Sequence, residues 1–180
     1  MTKDPNRFTI GMRFHSAPVV RVADAKPVQL GHAARADGAW RIYAFADASG
    51  KRLGELAAFL AESPSSPIRR FTPAGSDMDS VIDFRAVFQQ GHRELQIDKL
   101  PAMLLPRKGR FGLVDYEKAY APDLKMRQDI FDLRGIDRRQ GAIVVVRPDQ
   151  YVANVLPLDA HGELAAFFGQ FLLDRHPSSR

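Results

Sequence analysis

The segment from Gly135 to Leu173 limits the possible folds more than any other part of this sequence. Ala142 to Val146 is an unbroken apolar run, as in strands that are covered on both faces of a sheet. Pro148 and Asp149 follow it and are residue types that favour a tight turn. Tyr151 to Leu156 then returns as a second apolar run, so the sequence predicts a β-hairpin here.

An amphipathic helix is predicted directly after this hairpin. Asp159 is a residue type that caps helix N-termini. Apolar side chains then recur at the three-and-four spacing of one helix face, at Leu164, Phe167, Phe168 and Phe171. An ending of two strands and a helix closes thioredoxin-like folds, and we therefore expect an α/β protein with a central mixed sheet flanked by helices.

Two further strands and one helix are predicted in the first half of the chain. Trp40 to Ala46 has the composition of a central strand, and residues 51–62 have helical periodicity. Val81 to Phe88 alternates apolar residues with Asp83 and Arg85. That alternation predicts a strand with one face exposed to solvent.

The domain organisation predicted from these segments is an extended arm followed by one domain. Residues 1–38 contain only two short extended pieces, Pro18 to Val22 and Pro27 to Leu30, and are interpreted as an arm or linker. Residues 39–175 are interpreted as a single thioredoxin-like domain, which suits a chain of 180 residues.

Two stretches within this domain lack clear periodicity. Ser63 to Gly75 is rich in Ser and Pro and is predicted to be a loop. Gln89 to Gly141 is broken by Pro and Gly every few residues and is predicted to be irregular, with one helical turn.

Composition excludes several classes of function. The chain has no cysteine, which removes thiol–disulfide exchange and thiolate metal sites. The formal net charge of +5 comes from scattered basic residues, so we expect no nucleic-acid partner. No stretch approaches the roughly 20 apolar residues that cross a bilayer, and no secretion signal is apparent, so we expect a cytoplasmic protein without membrane contact.

The usual signatures of cofactor, metal and catalytic sites are also missing from the sequence. There is neither a spaced-glycine dinucleotide fingerprint nor a Walker loop. No two histidines stand three to five residues apart, and no serine lies in a glycine-flanked elbow. We therefore predict no catalytic, cofactor-binding or metal-ligating residue in this chain.

One alternative comes from a different class of protein. Arg13 and His15 lie close together before a proline, and the loop of residues 109–115 overlaps a basic tip at Arg107 to Arg110. These residues could form the site of a stand-alone small-molecule enzyme or binding protein. The simpler interpretation is that Arg13 and His15 tie the arm to the domain by hydrogen bonds.

Beyond these local patterns, the chain resembles the C-terminal domain of the FAD-dependent aromatic hydroxylases of the phenol hydroxylase type. The resemblance rests on three segments: FTIGMRFHSAPVVRVADAKPVQLGH, WRIYAFAD and FDLRGIDRRQGAIVVVRPDQYVANVLPLDA. The turn at Arg147 to Asp149, followed by Tyr151 and Val152, is its most specific part. The sequence differs from the expected pattern in two places, with Gln150 where a glycine suits the turn and Gly141 instead of a proline before the strand.

The resemblance implies a thioredoxin-like dimerisation domain of a much longer enzyme that uses FAD, NADPH and oxygen to hydroxylate phenol or 3-hydroxybenzoate. It implies that this chain binds no cofactor and is not catalytic by itself. The expected partners are a second copy of the chain and an N-terminal FAD-binding monooxygenase portion, in cis or in trans. Candidate dimer surfaces are the solvent side of Tyr151 to Leu156 and the aromatic residues of the last helix that the core does not use.

Overall fold

The computed structural model describes residues 7–15 and 17–174 of the chain. Its nine strands are β1 Pro18–Arg21, β2 Pro27–Gln29, β3 Trp40–Phe45, β4 Ile82–Val87, β5 Arg107–Lys108, β6 Leu113–Val114, β7 Ala119–Pro122, β8 Ala142–Val146 and β9 Val152–Leu156. Its four α-helices are α1 Lys51–Glu62, α2 Pro67–Phe71, α3 Ile130–Arg134 and α4 His161–Gly169. Short 3₁₀ helices occupy Leu30–Ala33, Ile97–Lys99 and Ala102–Leu104.

Seven strands form one mixed sheet in the order β2-β1-β7-β4-β3-β8-β9. The strands β3, β4 and β7 are parallel to one another, and α1 lies in the connection between β3 and β4. The hairpin of β8 and β9 is antiparallel and adds to the other side of β3. This arrangement confirms the predicted mixed sheet with flanking helices and the thioredoxin-like α/β fold.

Both faces of the sheet are covered. One face, which we call the helix face, carries Ile42 and Phe84 and packs against α1, α2 and α4. The opposite face, which we call the N-terminal face, carries Tyr43 and Phe45 and is covered by the segment before β1, the 3₁₀ helix Leu30–Ala33 and α3. Phe14 of that segment stacks on Tyr43 with the ring centroids 4.6 Å apart. Residues that alternate along each strand therefore supply two separate cores.

The elements with the strongest patterns have the predicted bounds. The helix α1 and the strand β8 begin and end at the predicted residues, and β9 begins one residue later, at Val152. The predicted cap of α4 was wrong, because Ala160 occupies the N-cap without a side-chain bond. Asp159 contributes its backbone carbonyl instead, which accepts a hydrogen bond from the amide of His161 at 2.9 Å.

The exposed face predicted for the second strand was wrong. All six residues of β4 are buried, including Asp83 and Arg85, whose exposed fractions are 3% and 5%. Alternation of polar and apolar residues identified the strand but not its surroundings, because the charged side chains are paired with other charged groups beneath the N-terminal face.

Two of the stretches predicted to be irregular contain regular elements. The loop predicted from Ser63 to Gly75 includes α2, which begins at Pro67. The Ser66 hydroxyl accepts a hydrogen bond from the backbone amide of Arg69. The strand β7 was missed because it has only four residues, and α3 was not located, since the one helical turn expected in this stretch was given no position. The side chain of Asp129 caps α3 through a capping box.

Part of the predicted arm belongs to the sheet. The strands β1 and β2 form a hairpin at one edge, with β1 paired to β7. The division between arm and domain at residue 38 stays a prediction. Nothing in the ranges 7–15 and 17–174 folds into a helix that is long and apolar enough to cross a membrane.

Candidate functional site

Eight charged side chains meet at the end of the sheet where β3, β4 and β7 begin. We call this group the ion cluster. Four are basic and four are acidic: Arg41, Arg85, Lys108, Lys118, Asp37, Asp79, Asp83 and Asp115. A depression of about 500 Å³ opens beside the cluster to solvent.

Asp83 is the centre of the ion cluster. Its Oδ2 atom lies 2.8 Å from Arg85 Nε and 3.0 Å from Arg41 Nε, and its Oδ1 atom lies 2.6 Å from Lys118 Nζ. All four side chains are at least nine-tenths buried. One carboxylate thus joins residues from β3 and β4 to the residue that precedes β7.

Lys118 joins this centre to the outer part of the cluster. Its Nζ atom also lies 2.5 Å from Asp79 and 3.4 Å from Asp115, and Lys108 approaches Asp79 at 2.8 Å. Burial opposes ionisation of both carboxyls, but their hydrogen bonds and the two ammonium groups outweigh it, so the pKa of Asp79 and that of Asp115 lie below the ordinary value. Asp79 and Asp115 are therefore carboxylates at neutral pH.

The guanidinium group of Arg85 also bonds to a neutral partner. Arg85 Nη1 donates to the hydroxyl of Tyr120 at 2.6 Å, and that hydroxyl donates to the carbonyl of Glu117 at 2.7 Å. Burial raises the pKa of Tyr120 and that of the neighbouring Tyr43. The phenols are thus neutral, and the four basic groups balance the four acidic ones, as a buried structural network requires.

Sequence reasoning missed the ion cluster, although one signal for it exists. Arg41 interrupts an apolar strand, and Asp83 is its partner in the parallel pairing of β3 with β4. Opposite charges on paired strands indicate a cross-strand ion pair. The position of Lys118 had no comparable signal, because β7 was not recognised.

The structure does not bring together the residues of the alternative site. The backbone of Arg13 forms a bridge with Tyr151, at the start of β9. The loop of residues 109–115 lies near the segment that leads into β4, since the Gly109 amide donates to Asp77 at 2.9 Å. The strands β8 and β3 lie between β9 and β4, which separates the two places by roughly 14 Å, or three strand spacings.

Backbone contacts and one aromatic ring hold the N-terminal segment in place. Phe14 donates its amide to the carbonyl of Gln150 at 2.7 Å, and Met12 accepts from the amide of Val152 at 2.8 Å. The side chains of Arg13 and His15 are exposed. Attachment of the segment to the domain is therefore confirmed, but not through the side chains of these two residues.

The turns on either side of β8 both have a residue with positive φ, which the sequence indicated only for Gln150. Gln150 adopts the left-handed conformation of the hairpin turn, with φ of 70°. Gly141 has φ of 66°, and a Cβ atom at this position would lie 2.3 Å from the carbonyl oxygen of Phe45. Only glycine fits this approach of two backbones.

The described part of the chain contains no group of three His, Cys, Asp or Glu side chains placed to hold a metal ion. The turn before α1 holds Asp47 and Ser49, whose side chains are hydrogen-bonded to each other and to amides at the start of the helix. These groups satisfy amides in the first turn of α1, whose N-cap is Gly50, and they offer no redox chemistry.

The two candidate dimer surfaces contain few residues that are free of the core. In β9 and the residue before it, only Tyr151 is exposed, by 41%, while Val152 and Leu156 are buried. At the last helix, Leu164 and Phe168 belong to the core, and Phe171 is 44% exposed just beyond the helix end.

Comparison with known proteins gives one family and several relatives. The family described as phenol hydroxylase, C-terminal dimerisation domain, matches residues 2–176. A 3-hydroxybenzoate 4-monooxygenase of Comamonas testosteroni is 60% identical over 171 residues, which cover 92% of this chain and 27% of the relative. An FAD-dependent monooxygenase of Aspergillus terreus is 36% identical, covering 91% of this chain and 28% of the relative. The chain thus spans little more than a quarter of the length of these relatives.

Solved structures agree with the fold. A thiol:disulfide interchange protein from Bacteroides sp. superposes with a TM-score of 0.59 at 12% identity, covering 92% of this chain and 91% of that one. A putative protein disulfide isomerase from Bacteroides thetaiotaomicron gives a TM-score of 0.55 at 11% identity. At such identities the likeness shows the thioredoxin-like fold alone.

Proposed function

Because the chain belongs to the family of phenol hydroxylase C-terminal dimerisation domains, we propose that it is the self-association module of a longer aromatic monooxygenase and is not catalytic by itself. The match over residues 2–176 carries this proposal, since it covers nearly the whole chain. The relatives named above are FAD-dependent or aromatic monooxygenases of which this chain matches only about a quarter.

The architecture supports a structural role. The fold is that of thiol–disulfide enzymes, but the chain has no cysteine with which to perform their chemistry. The buried charged groups are paired within the ion cluster, so none of them is held ready as an acid or base. A partner protein would therefore bind to the outer surface of the domain.

The proposal includes the partners that the family implies. These are a second copy of the chain and an N-terminal portion that binds FAD and uses NADPH, joined in cis or associating in trans. A phenol or 3-hydroxybenzoate is the proposed class of substrate for that longer enzyme, and a cytoplasmic location stays a prediction. The relative from Comamonas testosteroni is a 3-hydroxybenzoate 4-monooxygenase, which supports the choice of substrate.

The proposal is tested by sedimentation of the purified chain over a wide range of concentrations, with its visible absorption spectrum recorded in parallel. We expect a colourless species of twice the 20.1 kDa monomer mass. A chain that stays monomeric at every concentration contradicts self-association. A monomer that carries a flavin contradicts the non-catalytic role as well.

A further inference from the structure

Four side chains form a row across the end of the sheet, and we call them the aromatic–arginine row. They are Arg13, Tyr151, Arg147 and Trp40. Trp40 precedes Arg41, which is paired with Val146, so Trp40 lies next to Arg147. The amide of Arg147 donates to the carbonyl of Tyr151 at 2.8 Å, and Tyr151 is in turn the bridge partner of Arg13.

All four side chains of the row lie on the helix face. Trp40 contacts Phe168 of α4 there, and Trp40 and Arg147 line the same open depression of about 490 Å³. Tyr151 and Arg13 are each followed by a residue that is buried on the N-terminal face, Val152 and Phe14 respectively. Because successive side chains of an extended segment point to opposite faces, Tyr151 and Arg13 point to the helix face.

The last helix ends before it can cover the row. Helix α4 ends at Gly169, and Phe171 beyond it stacks on Trp40 with the ring centroids 4.8 Å apart. Arg147 is 53% exposed and Leu173 is 79% exposed. Among the residues that the structure describes, none covers the rest of this sheet end, which is a surface with an aromatic centre.

The composition of this surface is that of an interface centre. Trp, Tyr and Arg are the residue types that contribute most binding energy in protein interfaces. The rim carries both signs of charge in ion pairs, Arg147 with Asp149 at 2.6 Å and Arg70 with Asp174 at 2.8 Å. A patch that presents both arginines and aspartates around apolar rings can be complementary to itself under a twofold rotation.

Strand pairing between copies is a less suitable route to a dimer. The outer edge of β9 is partly occupied by the N-terminal segment, since Gly11 donates to Val152. Farther along, the Val155 amide donates to the side chain of Asn154 at 2.9 Å, and the register shifts beside it. At the other edge, β2 has three residues and begins with Pro27. Such features block edge-to-edge association and favour contact through a face.

We propose that the aromatic–arginine row, together with Phe171 and Leu173, is the centre of a twofold contact with a second copy of this chain. This inference rests on the proposed function, because self-association of the domain is its premise. It adds the location of the contact, which the family description does not supply.

The test uses the intrinsic fluorescence of Trp40, the single tryptophan of the chain. We expect its emission to shift to shorter wavelength, and its quenching by acrylamide to decrease, as the chain is concentrated and associates. Burial of the indole against a second copy would cause both changes. Sedimentation of the same samples gives the dissociation constant.

Two variants change the proposed contact surface, and a third variant is the matched control. Arg147→Glu and Tyr151→Ser change exposed side chains and should each raise the dissociation constant at least about tenfold. The control Phe111→Ser removes a more exposed ring, at 81%, on the β5–β6 hairpin, which is outside the row, and should leave the constant unchanged. Thermal unfolding of each variant verifies that it is folded.

The outcomes separate the inference from its premise. A wild-type chain that is monomeric throughout overturns both. A wild-type dimer that persists in Arg147→Glu and Tyr151→Ser, with unchanged Trp40 emission on association, overturns the inference and leaves the proposed function intact. If Phe111→Ser alone caused the dimer to dissociate, the dimer contact would lie at the β5–β6 hairpin and the inference would be overturned.

Discussion

Gly141 precedes β8 with a positive φ, and a methyl group added there would collide with the backbone of Phe45 and Asp47. The atoms in the way are the carbonyl oxygen of Phe45, at the end of β3, and the amide nitrogen of Asp47, in the turn after it. Both belong to the backbone and have little freedom to move. We expect Gly141→Ala to lower the free energy of unfolding by about 3 kcal/mol or more, through steric collision and left-handed strain. Chemical denaturation of the purified variant measures the loss.

Gly54 provides the matched control for this substitution. It lies within α1, and a Cβ atom there would meet nothing within 4 Å. Gly54→Ala should therefore raise the free energy of unfolding by about 0.5–1 kcal/mol, because alanine loses less backbone entropy in a helix. Equal losses for the two variants would refute the role assigned to Gly141.

Lys118 is the residue on which the ion cluster depends most. Lys118→Met keeps most of the side-chain volume but removes the buried ammonium group that pairs with Asp79 and Asp83. We expect the free energy of unfolding to fall by about 3 kcal/mol, as when one partner of a buried pair is removed. Calorimetry or urea denaturation would detect the change.

The same replacement at an exposed ion pair is the control. Lys51 is 79% exposed and lies 3.7 Å from Glu55 on α1. Lys51→Met should have little effect on stability, since exposed pairs contribute little. If Lys118→Met were equally harmless, the ion cluster would not be a stabilising network.

Individual residues show where sequence reasoning succeeds. The left-handed turn position of Gln150 was recognised because glycine is the usual residue there. Asp83 and Arg85 were assigned to solvent because charge in a strand normally indicates an exposed face. Their burial depends on Lys118, which is far away in the sequence, and no local pattern contains that information.

At the scale of elements, the β5–β6 hairpin differs from the main sheet. Each strand has two residues, and neither pairs with the seven-stranded sheet. A two-stranded hairpin is at best marginally stable alone, so local opening should be frequent. We expect its amides to exchange with deuterium at least about a hundredfold faster than those of β8, which is buried between β3 and β9.

Hydrogen exchange followed by mass spectrometry resolves the two elements. Peptides that cover Arg107 to Val114 should exchange first, and those that cover Ala142 to Val146 last. Similar protection of both peptides would mean that the hairpin is held by more than Lys108 and the Gly109 amide.

The elements also differ in how well the sequence revealed them. The helix α1 and the strand β8 were predicted with their observed bounds, since one has a clear helical period and the other is uniformly apolar. The strand β7 is as buried as β8, but it has four residues and ends in a proline. Its place in the sheet comes from pairing with β1 and β4, which is a tertiary effect.

At the scale of the whole molecule, the shifted pKa values predict how stability depends on pH. In the folded state Asp79 and Asp115 have pKa values below the ordinary one, and the hydrogen bond from Arg21 lowers that of Asp24 to about 2. Stabilisation by these groups is complete above their unfolded pKa and is lost as the pH falls through the folded values. We therefore expect the free energy of unfolding to decrease below about pH 4.

Alkaline conditions should destabilise the fold as well. Burial raises the pKa of Tyr43 and that of Tyr120, and acidic neighbours overcome burial to raise the pKa of Lys108. Their stabilisation is complete below the unfolded values and is lost above about pH 10. Denaturation curves across this range test the profile, and Asp79→Asn should make the acid slope shallower. An unchanged slope in that variant would contradict the assignment to the ion cluster.

The equal numbers of acidic and basic groups in the ion cluster have a consequence for long-range electrostatics. Opposite charges held within a few ångströms cancel at larger distances, so the formal net charge of +5 is carried by residues outside the cluster. Added salt screens those exposed charges over a Debye length of about 8 Å, but it reaches buried pairs much less. Ionic strength should therefore change the association rate of two molecules, while the strength of the buried ion pairs in the cluster stays nearly constant.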